Sequence, residues 1–382
     1  MIQIKEKEKC CGCGACVQIC PKQCIKMVED SEGFLYPEVD LVDCIGCSLC
    51  VKSCLVANQG SRRDPLFVYA AKNRDEEIRY RSSSGGVFSL FAEKIIGEGG
   101  IVFGARFDDS WKVVHDCTGS LEGLQAFRGS KYVQSEIGDS FKSAKQFLAG
   151  GRQVLFTGTS CQIAGLRRFL GKEYDNLLTI EVACHGVPSP KIWREYLGHK
   201  CAGGVSGIKE ITLRDKITGW KNYSVRYTYG NGSELMPARK DIFMVGFLKD
   251  LYLRPSCYSC AAKEGKSGAD IIIADYWGIE KTAPHLDDDK GVGLVMIYTD
   301  KGKRYYDEIS GGAVCEESAY SDAVCENPCI VRSVAVPKQR EEFWKGYYRD
   351  GIPFMFAFLK RRSGLHPKRF LSKIINRVKR IL

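Results

Sequence analysis

Two matching rows of cysteines near the start of the chain constrain its fold more than any other feature. Each row has the spacing C-x2-C-x2-C-x3-C, and Pro21 follows the first row. The rows are Cys10, Cys13, Cys16 and Cys20, then Cys44, Cys47, Cys50 and Cys54. This spacing is typical of bacterial-type modules that bind two 4Fe–4S clusters. Electron transfer is therefore the first functional hypothesis.

Each cluster is expected to take three ligands from one row and the fourth ligand from the other row. Gly12, Gly14 and Gly46 allow the backbone to approach a cluster closely. The predicted sets are Cys10, Cys13, Cys16 and Cys54 for cluster 1, and Cys44, Cys47, Cys50 and Cys20 for cluster 2. Cys11 is an extra cysteine inside the first loop, and Leu55 rather than proline follows the second row.

Zinc binding and disulfide bonds are the alternative interpretations of these cysteines. Zinc sites usually use separated C-x2-C pairs, and disulfides need an oxidising compartment. The charged N-terminal stretch predicts no signal peptide, and no run approaches the roughly 18 apolar residues of a membrane helix. The 19 cysteines therefore indicate a cytoplasmic protein whose thiolates bind metal.

The net charge of +10 is concentrated at the C-terminus. Residues 360–382 contain nine Lys and Arg and no Asp or Glu, which leaves 10 − 9 = +1 for the rest of the chain. A nearly neutral body gives little support to nucleic-acid binding, so no nucleic acid is expected as a partner.

The chain is long enough for more than one domain, and its pattern changes after the cysteine rows. From residue 67 onward, predicted strands alternate with predicted helices, as in the strand 153–158, the helix 161–170 and the strand 177–183. We therefore expect an α+β ferredoxin-like N-terminal module followed by an α/β domain with a mixed, mostly parallel sheet. The predicted boundaries are 1–57 for the ferredoxin module, 58–66 for a linker, 67–340 for the α/β domain and 341–382 for a C-terminal segment.

A second set of four cysteines lies in loops next to predicted strands. In α/β sheets, ligands bind in the loops at the carboxyl edge of the sheet. Cys161 lies where a strand turns into a helix, a position expected to favour a thiolate. Cys184 follows the next strand, and Cys257 and Cys260 form a C-x2-C pair. The four could hold a third 4Fe–4S cluster. Two alternatives stay open: Cys161 and Cys184 as small buried residues, or one of them as a catalytic thiol.

Two segments offer a place for a flavin, which would convert between one-electron clusters and a two-electron reaction. Hydroxyls and glycines stand at a helix start in the first segment, where free N–H groups could cradle a diphosphate. The second segment adds a cation and an aromatic ring. The candidate residues are Ser83, Ser84, Gly85, Gly86, Ser130, Lys131 and Tyr132. An ordinary helix N-cap and a solvated surface lysine are the alternatives.

Taken together, five segments resemble the family of coenzyme F420 hydrogenase/dehydrogenase beta subunits. They are SSSGGVF (82–88), RGSKYVQS (128–135), GTSCQIAGL (158–166), CHGVPSP (184–190) and ADIIIADYWG (269–278). The resemblance covers roughly residues 67–340 and is strongest to bacterial members encoded with polysaccharide-synthesis enzymes. It implies FAD, a 4Fe–4S cluster beside the flavin, and coenzyme F420 or another two-electron substrate.

The C-terminal tail has the pattern of a basic amphipathic helix. Its apolar positions, among them Phe370, Ile374 and Val378, fall on one face, and its Lys and Arg residues on the other. This pattern predicts a contact with the inner membrane surface or with a partner protein, and packing on the body of the protein is the alternative.

The sequence predicts an iron–sulfur flavoprotein oxidoreductase that passes electrons between the ferredoxin-type clusters, the third cluster and FAD. Its partner is expected to be a redox protein or another low-potential donor. The alternatives are an electron-transfer subunit that serves a separate enzyme, and a scaffold with structural clusters. No catalytic residue is assigned from the sequence.

Overall fold

The computed structural model describes residues 1–201 and 205–362. Its N-terminal module is a hairpin of β1 (Ile25–Glu29) and β2 (Leu35–Val39), flanked by the short helices α1 (Ala15–Gln18) and α2 (Leu49–Lys52). Asp30 Oδ1 accepts hydrogen bonds from the backbone N–H groups of Glu32 and Phe34 and so closes the hairpin turn. The hairpin predicted between the cysteine rows is confirmed.

An eight-stranded sheet forms the centre of the second domain. Its strands are β3 (Phe67–Asn73), β4 (Ile101–Phe107), β5 (Val113–Thr118), β6 (Val154–Thr159), β7 (Leu177–Val182), β11 (Ile271–Asp275), β12 (Gly293–Ile297) and β13 (Ala313–Glu317). The spatial order is β13-β3-β12-β11-β7-β6-β4-β5. The strands β4, β6, β7 and β11 pair in parallel, and β3 runs in the same direction as they do.

The mixed α/β sheet expected from the sequence is confirmed, with five of its eight strands in one direction. Of the three antiparallel strands, β12 lies between β3 and β11, and β13 and β5 are the two edge strands. Because β3, β11, β7, β6 and β4 share a direction, their carboxyl ends meet at one edge of the sheet. That edge carries the residues described below as the candidate site.

Helices cover both faces of this sheet. The sheet domain contains α3 (Glu76–Arg81), α4 (Val87–Gly97), α5 (Leu121–Leu124), α6 (Ser140–Ala149), α7 (Ser160–Leu170), α10 (Ile279–Thr282), α11 (Asp300–Ile309) and α12 (Tyr320–Cys325). α4 and α11 bury Phe91 and Tyr306 on one face, whereas α6 and α7 bury Phe141 and Leu166 on the other. The alternating strand residues supply both cores, as the pleat requires.

A smaller unit packs beside the sheet. It consists of an antiparallel sheet, β10 (Gly232–Pro237), β9 (Ser224–Tyr229) and β8 (Ile208–Asp215), and the helices α8 (Pro190–Lys200), α9 (Ile242–Leu248) and α13 (Arg340–Arg362). α13 is interrupted at Gly351, whose φ of 62° is in the left-handed region. Phe343 and Met355, on either side of this break, are both buried in the core of the unit.

The N-terminal module is packed against the rest of the chain. Ala15 of α1 is fully buried in the main core beside Phe141. Glu32 forms an ion pair with Arg340 of α13, and the Ser189 hydroxyl donates to the Glu32 carbonyl at 2.5 Å. The connecting segment has no helix or strand from residue 59 to residue 66, but its Arg63 donates to the Gly265 and Ala269 carbonyls.

The amphipathic segment predicted for the C-terminal tail falls on residues 363–382, which lie outside the described residues. Within residues 1–201 and 205–362, no helix combines the length and the apolar character needed to cross a bilayer. The predicted contact with a membrane surface stays a prediction.

Candidate functional site

The two cysteine rows wrap around cavities in the N-terminal module. Gly12, Gly14 and Gly46 have φ values of 69°, 72° and 68°, a left-handed conformation that glycine adopts without steric cost. They turn the chain so that the thiols of each loop face inward. The short helices α1 and α2 then carry the last cysteines of each row toward the other row's loop.

Each cavity is lined by three cysteines of one row and the fourth of the other. Cysteine cavity 1, with a volume of about 360 Å³, is lined by Cys10, Cys13, Cys16 and Cys54. Cysteine cavity 2, with a volume of about 350 Å³, is lined by Cys44, Cys47, Cys50 and Cys20. The structure thus brings together the same sets that the sequence predicts. Apolar residues, among them Ile2 and Ile25, complete the walls.

The second set of cysteines also converges, at the carboxyl edge of the sheet. Cysteine cavity 3 has a volume of about 800 Å³, and Cys161, Cys184, Cys257 and Cys260 line it. Cys161 is the second residue of α7, directly after β6, and Cys184 follows β7. The pair Cys257 and Cys260 lies on the single-turn helix Pro255–Ser259 and just after it. Three separate loops therefore place four thiols on one cavity.

Two further cysteines also line these cavities. The spacing of the cysteine rows does not predict their positions there. Cys11 lines both cavity 1 and cavity 3, and its thiol is hydrogen-bonded to Cys161. Cys24 lines cavity 2, with its Sγ atom 3.5 Å from Cys20 Sγ. The sequence identifies Cys11 only as an extra residue of the loop and gives Cys24 no role. The Cys20-Pro21-x2-Cys24 spacing is the signal that could have identified Cys24.

The thiols of cavity 3 are buried, and burial favours their neutral form. It raises the pKa of Cys257 to about 12 and the pKa of Cys184 well above the ordinary value. The pKa of Cys161 is also raised well above its ordinary value, first by the hydrogen bond with Cys11 and then by burial. Both effects oppose the thiolate that the start of α7 is expected to favour at Cys161.

The cysteines of the three cavities do not have the arrangement of a site for a single ion. Within the described parts of the chain, no group of three or more His, Cys, Asp or Glu side chains is arranged to hold one metal ion. A 4Fe–4S cube instead presents separate irons to its four thiolates. The four cysteines on each cavity wall fit such a cube in the number and the chemistry of its donors.

Ionic and polar groups surround cavity 3. Lys263 lines it and donates from Nζ to the Cys184 carbonyl at 2.7 Å. His185 also lines it, and its Nε2 atom is hydrogen-bonded to Asp250 at 2.6 Å. Arg254 lies on the wall between cavity 3 and Cys10.

The two predicted flavin segments meet in space. The Ser83 hydroxyl accepts hydrogen bonds from the Ser130 backbone N–H at 2.7 Å and the Ser130 hydroxyl at 2.8 Å. Ser84 Oγ donates to the Val292 carbonyl at 2.8 Å. Gly85 and Gly86 are buried, and Gly86 is the N-cap of α4 with a φ of 80°. The hydroxyl and glycine loop thus lies at the carboxyl end of β3, on the same edge as cavity 3.

Lys131 and Tyr132 point to different partners. Lys131 Nζ donates to the Ala126 and Arg128 carbonyls, both at 2.8 Å, so its ammonium is held within its own loop. The Tyr132 hydroxyl accepts a hydrogen bond from Arg214 Nη1 at 3.2 Å. Burial lowers the pKa of Lys131 to about 7.

Arg214 is a residue that the sequence pattern does not reveal. It pairs with Asp275 at 2.6 Å at the end of β11 and lies against the rings of Tyr223 and Trp277. Its side chain is 5% exposed, and its Nε and Nη2 atoms have no hydrogen-bond partner among the described residues. Unsatisfied guanidinium donors at a sheet edge are suited to an anionic or carbonyl group of a ligand.

Two parts of the chain match families of known proteins. Residues 9–58 match the family model of the 4Fe-4S dicluster domain. Residues 151–323 match the family described as coenzyme F420 hydrogenase/dehydrogenase, C terminus of the beta subunit. The second match includes all four cysteines of cavity 3.

Two curated proteins are similar to this chain. One is the F subunit of the F(420)H(2) dehydrogenase of Methanosarcina mazei, which is 24% identical over 329 residues, or 80% of this chain and 84% of the relative. The other is the coenzyme F420-dependent sulfite reductase of Methanocaldococcus jannaschii, which is 28% identical over 212 residues, or 51% of this chain and 30% of the relative.

A solved structure of the F420-reducing [NiFe] hydrogenase complex from Methanosarcina barkeri contains a similar chain. The identity is 16%, the TM-score is 0.46, and the alignment covers 80% of this chain and 95% of that one.

Proposed function

We propose that this chain, which joins a 4Fe–4S dicluster domain to a domain of the family of coenzyme F420 hydrogenase/dehydrogenase beta subunits, is a flavin-dependent iron–sulfur oxidoreductase. It would pass electrons between ferredoxin-type clusters and FAD, and between FAD and a two-electron substrate such as coenzyme F420. The similarity of the chain to the two F420-related proteins described above supports this proposal.

The observation that carries the proposal is the order of the three cysteine cavities. Cys16 and Cys54 of cavity 1 pack in one cluster with Cys20 and Cys50 of cavity 2. Cys11 lies on both cavity 1 and cavity 3. The cavities therefore follow one another from the exposed module to the edge of the central sheet.

When bound, 4Fe–4S clusters carry one electron each, and a flavin exchanges one or two electrons. The cysteines of cavities 1 and 2 would hold the ferredoxin-type clusters, and those of cavity 3 would hold the third cluster. The residues between them exclude water: Leu55 and Ala164 are buried there, and Val56 packs against them. Electron transfer requires that neighbouring clusters be separated by a short distance through packed protein that excludes water.

The flavin is assigned to the edge formed by β3, β12 and β11. Ser83, Ser84 and Gly86 would contact its phosphates at the start of α4, whose N–H groups suit an anion. Arg214 supplies the unsatisfied donors that fit the group chemically. The sheet order separates β3 from β7 by three strand spacings of about 4.8 Å, or roughly 14 Å, so this edge is near Cys184.

Anaerobic purification followed by iron, sulfide and flavin determination tests the proposal. We expect about twelve irons and one FAD per chain. Eight irons without flavin would remove the enzyme interpretation and leave a two-cluster electron carrier. If the flavin is present, anaerobic addition of reduced F420 should bleach the clusters reversibly, and a failure to do so would exclude F420 as the substrate of this flavin.

A second candidate, an electron-transfer subunit that serves a separate enzyme, is favoured by the surface beside cavity 2. Leu41, Val42 and Ile45 are 65%, 94% and 62% exposed beside the exposed Cys47. This apolar surface suits a short-lived contact with a redox partner protein. Co-purification of a partner together with no turnover of small molecules by the isolated chain would favour this function.

A further inference from the structure

Arg254 connects the ligand loops of cavities 1 and 3. Its backbone belongs to the loop of cavity 3, because its carbonyl accepts from the Cys257 N–H at 2.8 Å and its N–H donates to the Val187 carbonyl at 3.0 Å. Its guanidinium extends into the N-terminal module, where Nε donates to the Cys10 carbonyl at 2.8 Å. Nη2 donates to the Leu35 carbonyl at 2.9 Å and lies 3.7 Å from Cys10 Sγ.

The guanidinium is buried, since Arg254 is 1% exposed. Nη1 donates to Gln134 Oε1 at 3.0 Å, and Gln134 Nε2 donates in turn to the Cys11 carbonyl at 3.0 Å. The Tyr36 and Phe34 rings face the guanidinium at 4.3 and 5.4 Å. Every one of these partners is neutral, although the guanidinium stays protonated in proteins.

The other deeply buried arginines of the chain are paired differently. Arg79 forms an ion pair with Asp288 at 2.5 Å, and Arg214 forms one with Asp275 at 2.6 Å. In the described part of the chain, Arg254 has no carboxylate within 4.0 Å. Burying a cation costs several kcal/mol unless a negative charge compensates it. The nearest atom that can carry such a charge is Cys10 Sγ, as a metal-bound thiolate.

We infer that Arg254 is the built-in counter-charge of cluster 1 and that it raises the reduction potential of that cluster. The inference rests on the proposed function, since it requires a cluster in cavity 1. A cluster with four thiolate ligands is net negative, and its negative charge grows by one when it accepts an electron. A fixed positive charge beside Cys10 Sγ stabilises the reduced form more than the oxidised form.

The residue would therefore make cluster 1 the preferred place for an electron on its way between cavity 2 and cavity 3. Gly12 supports this position, because a Cβ atom at Gly12 would lie 2.7 Å from Arg254 Nη1. A side chain at this point of the loop would push the guanidinium away from Cys10.

A redox titration of the full-length protein, with dithionite as reductant and EPR as readout, tests the inference. Arg254→Gln removes the charge and keeps an N–H donor, and Arg254→Lys keeps the charge. We expect Arg254→Gln to lower the reduction potential of one cluster by at least about 59 mV. For a one-electron step this equals a tenfold change in the equilibrium constant. Arg254→Lys should shift it by less than half as much. Cys16→Ala protein lacks a predicted ligand of cluster 1, so the reduction step that changes in this variant is assigned to cluster 1.

Two further variants keep the test decisive if Arg254→Gln fails to fold. Gln134→Glu places a carboxylate beside Nη1 without removing the guanidinium and should lower the same potential. Arg340→Gln is the control, since Arg340 also joins the two domains but is paired with Glu32; it should leave all potentials unchanged.

The outcomes separate the inference from the proposed function. Wild-type protein without iron would overturn both. Wild-type protein with its clusters, together with an unchanged potential in Arg254→Gln at full iron content, would overturn the inference alone. A lowered potential in Arg254→Gln, with an unchanged control, supports it. Gln134→Glu decides in the same way only where Arg254→Gln does not fold.

Discussion

The Sγ atoms of Cys20 and Cys24 lie 3.5 Å apart on the wall of cysteine cavity 2. Cys20 is the predicted fourth ligand of cluster 2, and Cys24 is a second thiol within reach of the same iron. We predict that Cys20→Ala protein keeps its full iron content, because Cys24 replaces the missing ligand. Iron analysis and the EPR spectrum of the reduced protein measure this.

The matched control is the double variant Cys20→Ala/Cys24→Ala, which has neither thiol. It should lose roughly four irons per chain. Equal loss of iron in the single and the double variant would contradict a replacement by Cys24.

Cys184→Ala should remove the third cluster and leave the two ferredoxin-type clusters in place. The iron content should fall from about twelve to about eight, because cavity 3 shares none of its four predicted ligands with cavities 1 and 2. Cys117→Ala is the control, since Cys117 lies on β5 and lines none of the three cavities. An unchanged iron content in Cys184→Ala would mean that cavity 3 holds no cluster.

Ile45→Glu should slow electron exchange with a protein carrier. Ile45 is 62% exposed beside cavity 2, so a charge there disturbs the apolar contact surface without disturbing a core. Stopped-flow reduction by a small ferredoxin should become at least several-fold slower, whereas reduction by dithionite should keep its rate. Leu235→Glu, on the exposed face of β10, serves as the control. Equal slowing with both reductants would point to a damaged cluster.

Cluster assembly should become more favourable as the pH rises from 7 to 9. Burial raises the pKa of Cys16 and of Cys257 to about 12, so both thiols are protonated in the metal-free protein at these pH values. Each must lose its proton to bind iron, and each proton released adds up to a tenfold gain in affinity per pH unit. Anaerobic reconstitution at a series of pH values measures this.

The reference for the reconstitution experiment is the assembly of a 4Fe–4S cluster on a simple alkyl thiol in solution. Its pH dependence should level off near the ordinary thiol pKa of about 8.5. The dependence for the protein should continue above that value, and levelling at the same pH in both would contradict the buried state of these thiols.

Gly33→Ala should loosen the N-terminal module from the body. Gly33 has a φ of 86°, and a Cβ atom there would lie 2.2 Å from Lys191 Cβ and 2.8 Å from the Lys191 backbone nitrogen. The substitution would cost at least about 1 kcal/mol from the backbone conformation alone. Limited proteolysis should cut the segment 59–66 faster than in the wild-type protein. Gly151→Ala, which has a similar φ but open space around it, controls for backbone strain.

The grouping of the ferredoxin cysteines around two cavities could be predicted, because local spacing determines most of it. Three cysteines two residues apart must lie on one loop, and the second row repeats the geometry. The strands and helices around Cys161 and Cys184 could also be predicted, since apolar runs and the βαβ rhythm determine β6, α7 and β7. The predicted strand 153–158 and the observed Val154–Thr159 differ by a single residue at each end.

The contacts between distant segments could not be predicted. Arg254 lies just before its own ligand pair, Cys257 and Cys260, in the sequence, yet it contacts Cys10, which is 244 residues away. Arg214 lies on an antiparallel strand that carries no motif, and only the packing of β8 against the sheet edge brings it to Asp275. The raised pKa of Cys161 has the same origin, because its neighbour Cys11 belongs to another domain. Such juxtapositions depend on tertiary packing, which no local pattern encodes.

The packing of α7 against the ferredoxin loop has a consequence for how the protein is made. A Cβ atom at Gly165 would lie 2.9 Å from Cys13 Cβ, and Cys10 is buried under Arg254. Once the module has docked, an iron–sulfur carrier can no longer reach these two thiols directly. Cluster delivery to cavity 1 is therefore expected either to precede docking or to require that the module undocks, so cluster assembly and the packing of the two domains are linked.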